Sequence, residues 1–296
     1  MRWDDKQLAV GSGFIASLEG ANFLVTARHN LSGRHWESNE LMSEWNVDPN
    51  NVTIRMQANN PGVLEWKNLH LPLVGDDGFP LWFEHPTLGR QVDVAVLPLS
   101  DDPEYFVESF DIAVPPPSRE PLLSAGDELS VVGYPRGFSP YIGVPIWVRA
   151  SVASEPSIGY KALPTYLVDS RTTTGQSGSA VVLRPGVNRA VQMRDQSIVA
   201  TAIDDAWIAG VYSGRISLPD VSTDAAATSA NPEGVSQRHN NDLDIGIVWT
   251  TGAILATIQG RTRISVSGEE QRRWEPGVDW SETFDTDSSD HEVPIR

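Results

Sequence analysis

The chain has 296 residues, enough to bury one large core or two modest ones, and its 40% apolar and 21% charged residues match the usage of ordinary folded proteins. Lys and Arg number 22 against 39 Asp and Glu; the formal net charge of -17 argues against nucleic acid or anionic lipid as a partner. With no cysteine, disulfides, thiol catalysis and cysteine-based zinc sites are excluded.

The first residues, MRWDDKQLAVGSGFIASLEG, lack a basic stretch followed by a sustained apolar run, and no apolar run of roughly 18 residues occurs anywhere. The expectation is a soluble chain without an export signal and with a cytoplasmic address. Short β-branched runs then recur in order: GFIASL (13–18), NFLVTA (22–27), NVTIRMQ (51–57), VDVAVLPL (92–99), ELSVVGY (128–134), IWVRASVAS (146–154), TYLVDS (165–170), SAVVL (179–183), WIAGVYSG (207–214) and DIGIVWTT (244–251). Each ends near Gly, Pro, Asn or Asp, which reads as an all-β sandwich or set of barrels. One late helix is expected within TTGAILATIQGR (250–261), where Ile254, Leu255 and Ile258 share a face.

The Pro-rich connector AVPPPSREPLL (113–123) separates two groups of strands, because successive prolines hold an extended path and donate no ladder hydrogen bonds. This divides the chain into an N-terminal unit (1–115), a C-terminal unit (116–262) and an acidic tail (263–296) that is mobile or wraps the surface, with Trp274 and Trp280 as anchors. Segments 33–50 and 67–90 read as insertions without a steady period, and 217–242 has a disordered composition.

The stretch TTTGQSGSAVV (172–182) sets Ser177 between Gly and a following apolar strand. Alone it is either a nucleophile or a tight turn. A base is available in His29, which follows an apolar strand in FLVTARHNL, where by itself it would read as a strand-end histidine bonded to backbone. An acid is available in Asp93, at the head of QVDVAVLPL, and the order His, Asp, Ser differs from that of α/β-hydrolases and subtilisins. His35, His70, His85, His239 and His291 lie in loop-like or tail contexts. No His or carboxylate cluster has metal-ligand spacing, so neither metal nor organic cofactor is expected.

GSGFI, TARHN, DVAVL, VVGYPRG, TTGQSGSAVV, GVYSG and DIGIVW followed by a helix together resemble the trypsin/chymotrypsin-like serine peptidases, nearest the disulfide-free HtrA-type bacterial branch without its PDZ domain. The resemblance implies two six-stranded antiparallel β-barrels of the chymotrypsin type with a C-terminal helix. It implies a serine endopeptidase with His29 as base, Asp93 holding the imidazole, Ser177 as nucleophile, and an oxyanion hole from the N–H groups of Gly175 and Ser177. Gln176 stands where cleavage-activated relatives carry Asp. Their amine-to-carboxylate switch therefore cannot operate, and activation by loop ordering or a protein partner, in a bacterial defence or stress setting, is the expectation. The resemblance also places the specificity pocket near Arg171, which either favours acidic side chains or points to solvent, and has Val211, Tyr212 and Ser213 offer backbone to an extended protein or peptide substrate. A catalytically silent binding module on the same fold is the alternative.

Overall fold

The computed structural model describes residues 1–113, 119–141, 143–203, 205–217 and 242–274. The proposed boundary at 115/116, nearly all of the segment 217–242, and the tail from 275, including Trp280, lie outside these residues.

The N-terminal half holds β1 (Arg2–Trp3), β2 (Lys6–Gln7), β3 (Phe14–Leu18), β4 (Ala21–Thr26), the short helix α1 (Arg28–Ser32), β5 (Asn51–Gln57), β6 (Trp66–Pro72), β7 (Ala95–Leu99) and β8 (Phe110–Asp111). The C-terminal half holds β9 (Glu128–Gly133), β10 (Ile146–Val152), β11 (Thr165–Ser170), β12 (Ala180–Leu183), β13 (Ala190–Gln192), β14 (Ile198–Ala200), β15 (Trp207–Ser217), β16 (Asp242–Thr250), helix α2 (Thr251–Gly260), β17 (Thr262–Ile264) and β18 (Gln271–Arg273). Among the described residues no helix is long and apolar enough to cross a membrane.

In the C-terminal half six strands close a barrel in the order β10-β11-β16-β15-β12-β9. Its interior is filled by alternate residues such as Leu129 and Val131 of β9, Tyr166 and Val168 of β11, and Val248 of β16. The run AVVL of β12 is apolar throughout because both its faces are covered. Val181 and Leu183 point into the barrel, whereas Ala180 and Val182 join a second core with Phe14, Val25, Val94, Val96 and Ile254. The strand that follows Ser177 is thus pinned between the two halves.

In the N-terminal half the expected second six-stranded barrel does not close among the described residues. These form two four-stranded sheets, β2-β1-β5-β6 and β7-β4-β3-β8. They face one another across a core of Leu24, Leu31, Val52, Leu71, Leu73 and Leu97. β8 is only two residues long and pairs in parallel with β3, so it offers too short a ladder to continue round. The β5–β6 hairpin instead takes the N-terminal β1–β2 hairpin as its neighbour.

Helix α2 falls where its periodicity predicts. Thr250 caps it, accepting from the Ala253 N–H at 3.3 Å, and Ala253, Ile254 and Ile258 are buried. From the end of the C-terminal unit into the expected acidic tail, residues 262–273 form the β17–β18 hairpin, and Trp274 packs on Phe83 with ring centroids 6.0 Å apart. Because Ile254 is 0% exposed and spans the joint core, Ile254→Ala should lower unfolding stability by about 2–5 kcal/mol. Urea denaturation measures this, and a loss below about 1 kcal/mol would mean that α2 is peripheral to the core.

Candidate active site

β4 runs out into α1 at Ala27, whose side chain provides no cap for the helix. The cap comes from a distance: Asp93, just before β7, accepts the His29 backbone N–H on Oδ1 at 2.9 Å and sits at the positive end of the helix. Its Oδ2 is 2.7 Å from His29 Nδ1 and also accepts the Ser213 hydroxyl from β15. Asp93 is 0% exposed, so three donors from both halves of the chain stabilise a carboxylate that burial alone would disfavour.

Burial alone would lower the His29 pKa, but the Asp93 charge and hydrogen bond more than offset it, and the imidazole is raised above its ordinary 6.5. The neighbouring Arg28 opposes this rise. Arg28 is itself buried and ion-paired with Glu84, Nε to Oε2 at 2.9 Å, and Trp82 Nε1 donates to the other carboxylate oxygen at 3.2 Å.

His29 and Ser177 line one cleft of about 470 Å³. No hydrogen bond joins their side chains in this structure. The Ser177 carbonyl is fixed from the N-terminal half by Ser12 N–H at 2.9 Å and Asn30 Nδ2 at 2.7 Å, while Ser12 Oγ donates to the Gly175 carbonyl at 2.8 Å. Gly178, at φ +88°, has room for no side chain: a Cβ would lie 2.1 Å from the Ser12 carbonyl oxygen.

Gly175 adopts φ +91°, and a Cβ there would meet Arg136 N at 2.7 Å. The Thr174 carbonyl accepts the Arg136 N–H at 2.7 Å. In a trans peptide the C=O and N–H point in opposite directions, so the Gly175 N–H is aimed away from Arg136. Neither it nor the Ser177 N–H has an acceptor among the described residues. Gln176 is 0% exposed; its Oε1 accepts the Thr173 N–H at 2.9 Å, bracing the loop from within, while its Nε2 has no partner among the described residues.

The residues expected to read the substrate are distributed differently. Arg171 is exposed and takes no part in the cleft lining, which instead includes Arg136 and Arg215. Val211 pairs on both edges, with Ala180 and Trp249, leaving no backbone for a peptide. Tyr212 gives its N–H to the Ser179 carbonyl and accepts from the Gly178 N–H; its hydroxyl bonds Thr172 Oγ1, and the residue is part of the cleft lining. Ser213 spends its side chain on Asp93. Ser12, Asn30 and Arg28 went unnoticed in the sequence; the only trace was polar residues set among apolar neighbours in GSGFI and TARHN. No group of three or more His, Asp or Glu among the described residues is arranged to hold a metal.

The chain belongs to the trypsin-like peptidase domain family, whose model matches residues 11–187. Among solved structures it is similar to the Rv3671c protease of M. tuberculosis in its active form, at 15% identity, covering 88% of this chain and 74% of that one with a TM-score of 0.37. It is also similar to the inactive form of the Rv3671c protease, at 18% identity over 84% and 82% of the two chains, TM-score 0.37. No curated protein matches it.

Two outcomes are expected from this geometry. By NMR, His29 should titrate above 6.5, and in Asp93→Asn, where only the lowering effects of burial and Arg28 remain, below it. Asn30→Ala removes a buried bond to the Ser177 carbonyl and should cost about 1–3 kcal/mol in thermal unfolding; an unchanged melting curve would contradict the role of this seam.

Proposed function

We propose that the chain is a serine endopeptidase acting on protein or peptide substrates, with Ser177 as nucleophile, His29 as general acid and base, and Asp93 orienting the imidazole. The observation that carries this reading is the 2.7 Å bond from His29 Nδ1 to Asp93, in the same cleft that Ser177 lines. That bond holds the proton on Nδ1 and leaves the Nε2 lone pair for the serine hydroxyl. On this reading residues 1–115 supply the base and acid, and residues 116–262 supply the nucleophile.

As Ser177 Oγ bonds to the scissile carbonyl carbon, its proton passes to His29 Nε2. His29 then gives that proton to the leaving amine, the C–N bond breaks, and an acyl-enzyme remains. Water attacks the ester next, its proton taken by the same nitrogen, and the acid product leaves with the Ser177 hydroxyl restored. The unpaired N–H groups of Gly175 and Ser177 would bind the developing oxyanion, where loss of one donor typically costs about 10²–10³ in rate. With Gln176 bracing the loop, that arrangement needs no freed N-terminal amine.

Incubation with a fluorophosphonate, followed by intact mass, tests the reading. Wild type should gain one adduct, Ser177→Ala none, and His29→Ala should react at least about 10³-fold more slowly. The wild-type rate should fall on acidification through the raised His29 pKa, because the protonated imidazole cannot accept the serine proton. A wild type that never reacts would reject the reading and leave a silent binding module.

A further inference from the structure

The chain carries 39 acidic and 22 basic residues, yet among the described residues no Asp or Glu lines the cleft around Ser177, and the arginines there are Arg136 and Arg215. Among the described residues, the carboxylates of a strongly acidic protein are thus kept away from one place. Arg215 is held at the wall behind the nucleophile, since its Nη2 donates to the Thr172 carbonyl. The carboxylate paired with it among the described residues, Asp244, stands 3.6 Å from Nη1 with a side chain 65% exposed, a long solvent-facing pairing that neutralises little of the charge. Arg136 sits exposed at the rim, its loop fixed by the bond to the Thr174 carbonyl.

The geometry also says which substrate side chain meets Arg215. β15 pairs with β12 only as far as Val211 opposite Ala180, while its pairing with β16 continues through Gly214 and Arg215. Along Ser213, Gly214 and Arg215 one strand edge is therefore open among the described residues. An extended peptide added to that edge, with its scissile carbonyl at Ser177, would turn the side chain on the acyl side into the cleft lined by Thr173, Thr174, Gly214 and Arg215.

Resting on the peptidase reading above, we propose that the cleft selects peptides with Asp or Glu as the residue contributing the scissile carbonyl, and that Arg215 is the specificity-determining residue, with Arg136 adding charge at the rim. A buried or half-buried guanidinium binds a carboxylate by charge-assisted hydrogen bonds and leaves a neutral isostere poorly matched.

The test uses the full chain and peptidyl diphenyl phosphonates that differ only in Glu, Gln, Ala or Lys at that position, alongside the general fluorophosphonate. The Glu probe should modify Ser177 at least about tenfold faster than the Gln probe. That ratio should fall to within about twofold in Arg215→Gln and partly survive in Arg215→Lys, because Lys keeps the charge and loses the fork. The ratio is internal to each variant, so a change in overall reactivity does not disturb it. Fluorophosphonate labelling with Ala or Gln favoured over Glu would overturn the specificity and leave the peptidase standing; Arg215 would then be a plug. Failure of all labelling would overturn the peptidase. In that event the cleft is still tested by the affinity of Ser177→Ala for a glutamyl peptide against its glutaminyl twin: equal affinities would overturn the acidic selection as well.

Discussion

A single carboxylate organises this molecule. Asp93 is fully buried, and a lone carboxylate there would cost several kcal/mol. It is tolerable only because the His29 amide, the His29 imidazole and the Ser213 hydroxyl all point at it. Those donors come from α1 in one half and β15 in the other, so satisfying Asp93 requires the halves to dock in one register. The same contacts start α1, which has no side-chain cap of its own, and fix the imidazole ring. On the peptidase reading, folding and catalytic alignment are thereby the same requirement.

The Ser177 loop answers from the other side. Ser12 and Asn30 hold the Ser177 carbonyl, Arg136 holds the Thr174 carbonyl, and β12 is gripped by a core on each face. Side chains with no chemistry of their own therefore decide where the serine sits. The Arg28–Glu84 pair does similar work behind His29. It puts a positive charge beside the imidazole that competes with Asp93, which limits how far His29 is pushed toward its protonated form.

What was legible in the sequence followed from period and burial. Runs such as NVTIRMQ and TYLVDS match their strands because half-buried or fully buried strands must be β-branched and apolar. β6 was lost inside an apparent insertion because Lys67, Asn68 and His70 dilute its alternation. α1 was invisible, since five residues cannot display a helical period. The closure of the N-terminal half depended on which strand found which edge, and no local pattern encodes that. Of the two readings of Arg171, the exposed side chain matches the one that points to solvent, and the arginine that lines the cleft from β15, Arg215, lies nearly forty residues beyond Ser177, where no count back from the serine reaches it.

The uneven pairing of β15 has a consequence beyond recognition. A closed barrel hides every strand edge, and with it the backbone template on which other chains aggregate. Here the only stretch of β15 left open along the barrel, among the described residues, is the one beside Ser177. An unfolded segment that docks on it meets Ser177 instead of nucleating a growing sheet, so on the peptidase reading the open backbone of this strand is also the place where what sticks to it would be cut.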